Sequence, residues 1–188
     1  LLNFYGAIQQ VTGSCYLIES RDGARVLLEC GMRQGRRTDE EGNRAAFPFD
    51  PNSLDAVVIS HAHLDHSGLL PRLVAAGYSG PIFATEATCE LLELMLLDSA
   101  HIQEHDAEWE NKWRARVGKE PITPLYTTAD TESTLKLRRP LEYGVSHEVA
   151  AGISVTFHDA GHILGSAIVE LEVCDHHITR HVVFSGDL

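Results

Sequence analysis

The 188-residue chain lacks a basic excess: 15 Lys and Arg stand against 27 Asp and Glu, a formal charge of −12. That balance excludes sequence-independent binding to phosphate backbones through bulk charge, so any nucleic-acid contact has to be local. Long apolar runs are missing too. The best candidate, Leu91–Leu97, is broken by Glu93 and closed by Asp98, far short of the ~20 apolar residues a membrane-spanning helix needs. Four cysteines, Cys15, Cys30, Cys89 and Cys174, form no C-x-x-C pair, and a domain of this size has no need of disulfides, so they are expected to be buried thiols. The opening Leu1-Leu2-Asn3-Phe4 has neither a basic nor an apolar leader pattern; the cytoplasm is the expected compartment and no membrane partner is expected. Internal repeats and low-complexity tracts are absent. What is abundant is histidine, 11 in all.

Segments along the chain alternate in type. Cys15–Glu19 and Arg25–Glu29 read as strands around an Asp22-Gly23 hairpin turn. Residues 31–49, with Arg36-Arg37-Thr38-Asp39-Glu40-Glu41, have no periodicity and read as a polar surface loop. Leu54–Ser60 has the β-branched run of a strand buried on both faces. A short helix is predicted over residues 68–77 with Gly77 as its stop, and a strand at Pro81–Ala84. From Thr85, a plausible N-cap, to about Val117 the pattern is helical, with Ala87, Leu91, Leu94, Met95, Ile102 and Trp109 as the expected core face. Pro121 and Pro124 end it; a further helix is expected from about Ala129 to Leu137, closed by Pro140. Ile153–Phe157, Ala167–Val173 and His181–Phe184 read as strands, with a polar turn at Asp175-His176-His177. This order is that of an α/β sandwich.

The sharpest feature is Ser60-His61-Ala62-His63-Leu64-Asp65-His66-Ser67-Gly68, where the doubly buried strand gives way to a helix. Side chains at i and i+2 of an extended segment point the same way, so His61 and His63 can share one metal, while Asp65 and His66 at the helix entrance can face a second. Imidazole suits zinc, and a carboxylate beside it suits a site with an open coordination position. Two other strand ends finish in ligand-type residues: His162 in Asp159-Ala160-Gly161-His162-Ile163-Leu164-Gly165-Ser166-Ala167, and Asp187 in Phe184-Ser185-Gly186-Asp187. Alone, either is weak; a lone histidine is more often packed or at the surface. Three strand ends of one kind reinforce each other.

With its H-x-H-x-D-H string of His61, His63, Asp65 and His66, the sequence resembles the metallo-β-lactamase fold superfamily. More closely it is similar to the RNA-processing beta-CASP branch, through Val11–Cys15, Leu27-Leu28-Glu29-Cys30-Gly31, Leu97–Glu104, Pro124–Thr127, Gly161–Ala167 and Phe184–Leu188. The resemblance implies an αββα sandwich, incomplete in this chain. It implies two zinc ions: His61, His63 and His162 on one, Asp65 and His66 on the other, Asp187 bridging both because two dications ~3.5–4 Å apart need an anion between them. Asp65 and Asp187 are the implied catalytic residues, Asp65 also as acceptor of a water proton. Members of the family usually carry aspartate where this chain has Glu29, a carboxylate that orients a ligand histidine from behind; one extra methylene is expected to shift that imidazole. The chain is expected to be the N-terminal part of a protein about twice as long, with the beta-CASP insert, the last histidine of the second zinc site and the proton donor to the leaving group lying outside it.

The expected activity is zinc-dependent hydrolysis of RNA, internally or from the 5′ end, with single-stranded RNA as partner and a homodimer as the candidate oligomer. Arg33, Arg36 and Arg37 form the basic cluster nearest the motif; a solvated loop is their plainer role. Two rival readings remain: a small-molecule ester or thioester hydrolase of the glyoxalase II or lactonase kind, which the Gly161–Ala167 string and the long helix oppose, and a non-catalytic RNA-processing subunit, which the intact ligands oppose and Glu29 keeps open. A di-iron protein would need glutamate where His63 stands.

Overall fold

A computed structural model describes residues 1–35, 41–175 and 178–188. Strands β1 (Leu2–Phe4), β2 (Tyr16–Glu19), β3 (Arg25–Leu28), β4 (Ala56–Val58), β5 (Ile82–Thr85) and β6 (Arg138–Leu141) form one sheet in that spatial order. β1, β2 and β3 are antiparallel, and β3 through β6 are parallel. β7 (His147–Ala150), β8 (Ile153–Asp159), β9 (Ala167–Asp175) and β10 (Ile178–Phe184) form a second, wholly antiparallel sheet. Among the described residues there are also helices α1 (Leu64–Ser67), α2 (Leu70–Ala75), α3 (Glu86–Arg116) and α4 (Thr128–Leu135), and a 3-10 turn at Pro51–Ser53.

Alternation along the strands divides the core in two. Leu17, Leu27, Val57, Ile59 and Ile82 pack toward α2 and α3, whereas Ile18, Val26, Leu28, Ala56 and Val58 pack against Ile153, Val155, Phe157, Val169 and Leu171 of the second sheet. A strand buried on both faces is therefore needed at β4, as its Val-Val-Ile run predicts. Each of these large aliphatic side chains contributes ~1.5–3 kcal/mol through its burial. The layers are helix, sheet, sheet. The outer face of the second sheet carries polar side chains such as His158, Glu170 and Glu172, with His158 Nε2 and Glu170 Oε2 2.8 Å apart, and among the described residues no helix covers it. The α/β sandwich expectation holds.

Several local expectations change. α3 begins where Thr85 caps it, accepting from Thr88 N. Its buried stripe, however, is Thr88, Cys89, Leu92, Leu96, Ser99, Ala100 and Ala107, while Leu94, Ile102 and Trp109 are exposed. Leu91 and Met95 of the expected face do pack against the core at the edge of this stripe, whose largest members are Leu92 and Leu96. Pro140 does not close α4; it lies in β6, an edge strand, where a missing N–H is tolerated. The 31–49 segment is not wholly a surface loop: Phe49 is 8% exposed and belongs to the core. Arg36, Arg37 and the rest of 36–40, and His176 and His177 of the expected turn, lie outside the described residues. No described helix is long and apolar enough to cross a membrane.

The thiols also divide: Cys30 and Cys89 are buried, Cys15 is partly so, and Cys174 is exposed, which corrects the expectation of four buried thiols. Burial pushes the Cys15 and Cys89 thiols up to about 12 and about 11, with nearby Glu29 adding to Cys15, and it raises Cys30 as well. Only thiolate attacks iodoacetamide. Mass spectrometry of the native protein after brief treatment at pH 8 is expected to find Cys174 alkylated and the other three labelled only after unfolding.

Candidate metal centre

The C-terminal ends of β3 and β4, the β8–β9 connection and the segment after β10 meet at one edge of the sandwich. Glu29 ends β3, His61 and His63 follow β4, His66 lies in α1, His162 lies between β8 and β9, and Asp187 follows β10. The two sheets are joined at this edge by a hydrogen bond from Ala167 N to Ser60 O, 2.9 Å. Gly186 (φ +57°) comes so close to Ser60 that a Cβ there would lie 3.1 Å from Oγ, and this approach delivers Asp187 to the histidines. The His162 connection is held from two sides. Ser166 Oγ accepts from His162 N and Ile163 N, and the Gly165 carbonyl, on a residue with φ +81°, accepts from Thr85 Oγ1 (2.6 Å) and Thr88 Oγ1 (2.8 Å) at the start of α3.

Six side chains named from the sequence come together here. His61 Nε2 lies 3.1 Å from His63 Nδ1, which lies 3.3 Å from His162 Nε2. Asp187 Oδ2 is 3.9 Å from His61 Nε2 and 3.7 Å from His162 Nε2. Its other oxygen, Oδ1, is 3.4 Å from His66 Nε2, which is 3.8 Å from Asp65 Oδ2. Tetrahedral zinc with bonds of ~2.0–2.1 Å sets its ligand atoms ~3.3–3.4 Å apart, so the His61, His63, His162 and Asp187 atoms span the edges of such a tetrahedron. One Nδ1–H on His63 can point at only one of its two imidazole neighbours, which leaves a lone pair facing the centre without a donor. This donor set fits a divalent cation, and Asp187 turns one oxygen toward each group.

Glu29 is wholly buried and has left-handed backbone geometry, φ +63°. Its carboxylate accepts from Ser60 N (2.6 Å), Ser60 Oγ (3.0 Å) and His66 Nδ1 (2.5 Å). Because the Ser60 hydroxyl gives its proton to Glu29, its oxygen accepts from His61 Nδ1 at 3.0 Å. Both rings then carry their proton on Nδ1 and turn Nε2 to the centre. Glu29 lies near enough to His61 and His66 to make a second candidate cluster. Both of its oxygens, however, are already engaged by Ser60 and His66. The extra methylene relative to aspartate is taken up without losing contact with His66. Ser60 is the residue that sequence reasoning missed; it stood inside the motif, but a hydroxyl next to a histidine carries no signal of its own.

Burial, then the neighbouring His66 and His63, push His61 down to about 3, so its ring is neutral and ready to donate a lone pair at neutral pH. Burial opposes charge on His66, but the hydrogen bond and charge of Glu29, with Asp65 and Asp187, outweigh it and raise His66 above the ordinary imidazole value.

Residues 8–188 match the family model of the metallo-beta-lactamase superfamily. The chain belongs to that superfamily. A ribonuclease of Thermus thermophilus is 41% identical to it over 184 residues, 98% of this chain and 37% of the relative. The transcription termination factor FttA of Methanosarcina mazei is 37% identical over 187 residues, 97% of this chain and 26% of the relative. The chain thus spans about a third of these relatives or less. Their names agree with the RNA-processing branch its motifs resemble. Among solved structures, a B3 metallo-beta-lactamase with an active-site glutamic acid aligns at a TM-score of 0.55 and 18% identity, over 94% of this chain and 57% of that one. The Rm3 metallo-beta-lactamase aligns at 0.54 and 18%, over 97% and 57%. At such identity the likeness is one of fold.

For a metallo-beta-lactamase domain the divalent metal is implied, and Glu29 gives its affinity a specific dependence. Glu29→Gln removes the acceptor facing His66 Nδ1–H and is expected to weaken zinc binding ~10–100-fold, with Glu29→Asp losing less. Competition with a chromophoric chelator measures this, with circular dichroism as the control for folding; unchanged affinity in the Gln variant would refute the role.

Proposed function

We propose that the protein to which this chain belongs is a zinc-dependent ribonuclease that cleaves phosphodiester bonds of single-stranded RNA. The observation that carries the reading is the split of Asp187 between His61, His63 and His162 on one side and His66 and Asp65 on the other, in a chain related to a ribonuclease and to termination factors. His61, His63, His162 and Asp187 would hold the first zinc, and Asp65, His66 and Asp187 the second, whose remaining ligand would come from residues outside this chain. Two ions bound there supply a Lewis acid for the phosphoryl oxygens and acidify the attacking water.

The chain's own residues do the rest. Asp65, whose side chain is 20% exposed, is open enough to meet the attacking water and receive its proton on Oδ1, the oxygen not turned to His66, a step worth ~10²–10⁴-fold. Asp187, at 45% exposure, forms the solvent-facing wall and keeps the two groups at a fixed separation. Glu29 and Ser60 hold the rings still, so that little reorganisation is left for the reaction. Localisation in the cytoplasm is part of the same proposal, and a homodimer is its candidate assembly.

The test uses the full-length, zinc-loaded protein and a labelled single-stranded RNA. Cleavage is expected, to be lost by at least ~10²-fold in Asp65→Ala and in His63→Ala, while both variants keep the parent circular dichroism; a contaminating nuclease would ignore these substitutions. The 188-residue chain alone is expected to cleave poorly. If the loaded protein leaves RNA whole and hydrolyses a thioester or lactone, the small-molecule hydrolase reading replaces this one.

A further inference from the structure

The metal centre accounts for the scissile phosphate but not for how the strand is held. A cavity of about 360 Å³ opens beside it, lined by Phe4, Tyr5, Cys15, Arg33, Phe47 and Arg72 among others, at the small end of the ~300–1,000 Å³ typical of ligand sites. It shares a wall with the centre: Ser14 N donates to Asp65 O (2.9 Å), Cys30 N to His66 O (2.8 Å) and Gly31 N to Ser14 O (2.8 Å). The strand ends that position Asp65 and His66 therefore also form one side of this cavity.

Its chemistry runs against that of the chain as a whole. In a protein of formal charge −12, the charged side chains that line this cavity among the described residues are two guanidiniums, with no carboxylate among them. The larger cavity, about 590 Å³, carries Glu86, Glu90 and Glu142 and no cation, which is unfavourable for a phosphate. Arg33 is half-buried and set in place from its backbone. Asn43, itself buried, accepts from Arg33 N through Oδ1 and donates to Arg33 O through Nδ2, both at 2.8 Å. The side chain then passes Gly13 and Gly42, where a Cβ would lie 2.7 Å from Cγ and 2.8 Å from Nη1. Among the described residues its guanidinium has no hydrogen-bond or ion-pair partner. Arg72 is already used: it donates to Arg44 O and lies 5.1 Å over the Phe47 ring. Tyr5 and Phe47 each lie tilted against Phe49, with ring centroids 5.4 and 5.5 Å apart, which fixes their rings. Burial keeps Cys15 protonated, so no thiolate opposes an anion here.

We propose that this cavity seats one nucleotide of a single-stranded RNA, with the Arg33 guanidinium on a phosphate and the base against the Tyr5, Phe47 and Arg72 side. This rests on the ribonuclease reading and adds to it the element that holds the strand beside the cut. An arginine held in place from its backbone, as Asn43 holds Arg33, pairs with phosphate in a bidentate way, and aromatic stacking contributes ~1–3 kcal/mol per base without sequence preference.

The experiment measures fluorescence anisotropy of a fluorescein-labelled ten-nucleotide single-stranded RNA on full-length, zinc-loaded protein, in an Asp65→Ala background so that the probe stays whole, from 50 to 200 mM salt. Arg33→Ala is expected to weaken binding about tenfold and to lower the slope of log Kd against log salt by ~0.7, the value of one lost phosphate contact on a single strand. Arg33→Gln keeps the stem that packs past Gly13 and Gly42 and is expected to show the same loss of slope, which separates charge from packing. Phe47→Leu is expected to weaken binding to a similar degree with the slope unchanged, because stacking is insensitive to salt. Zinc content and melting temperature are followed for every variant. If all three bind within twofold of the parent at an unchanged slope while the unmodified protein cleaves RNA, the subsite is wrong and the ribonuclease reading stands. If the unmodified protein neither binds nor cleaves RNA, both fall.

Discussion

Glu29 has no solvent contact, and its charge is balanced entirely by the Ser60 backbone N–H, the Ser60 hydroxyl and His66. A buried carboxylate costs several kcal/mol unless donors surround it, so those three donors are held as firmly as the carboxylate itself. The consequence reaches two histidines. His66 is turned directly, and His61 is turned through Ser60, so that one buried charge decides which nitrogen of each ring faces Asp187. Stability and metal-site geometry are thus the same interaction seen from two sides.

The fold is arranged so that this interaction can exist. β3 and β4 run parallel, which brings the ends of both strands to one edge; one step past the Leu28–Val58 pair, Glu29 comes level with Ile59 and its carboxylate reaches Ser60, the next residue along. The second sheet adds His162 and Asp187 at that edge only because its strands pack face to face against the same β3 and β4 side chains. α3 contributes through its first turn, where Thr85 and Thr88 fasten Gly165 and with it the His162 connection. Removing any one layer would separate ligands that lie far apart in the chain, as His63 and His162 do.

Much of this could be read from the sequence where local chemistry and long-range structure agree. The His61–His66 string, the doubly buried β4 and the capped α3 each follow from patterns within a few residues. What escaped depends on partners the sequence does not display. β1, β6 and β7 are only three or four residues long and include Pro140, so no alternation marks them. The buried face of α3 centres on Leu92 and Leu96 with small residues beside them, one position away from the stripe through Leu91, Leu94 and Met95 that the spacing suggests. Glu29 meets His66 Nδ1 from a left-handed backbone position, φ +63°, which nothing in the local sequence displays.

The central claim is that Glu29 fixes both rings as Nδ1–H before any metal binds. Long-range ¹H–¹⁵N correlation spectra of histidine-labelled, metal-free protein at pH 7 test it most directly. The account predicts a neutral His61 with its proton on Nδ1, and a His66 whose Nδ1 is protonated and strongly hydrogen-bonded. A His61 ring carrying its proton on Nε2, or a His66 that exchanges freely between tautomers, would contradict it.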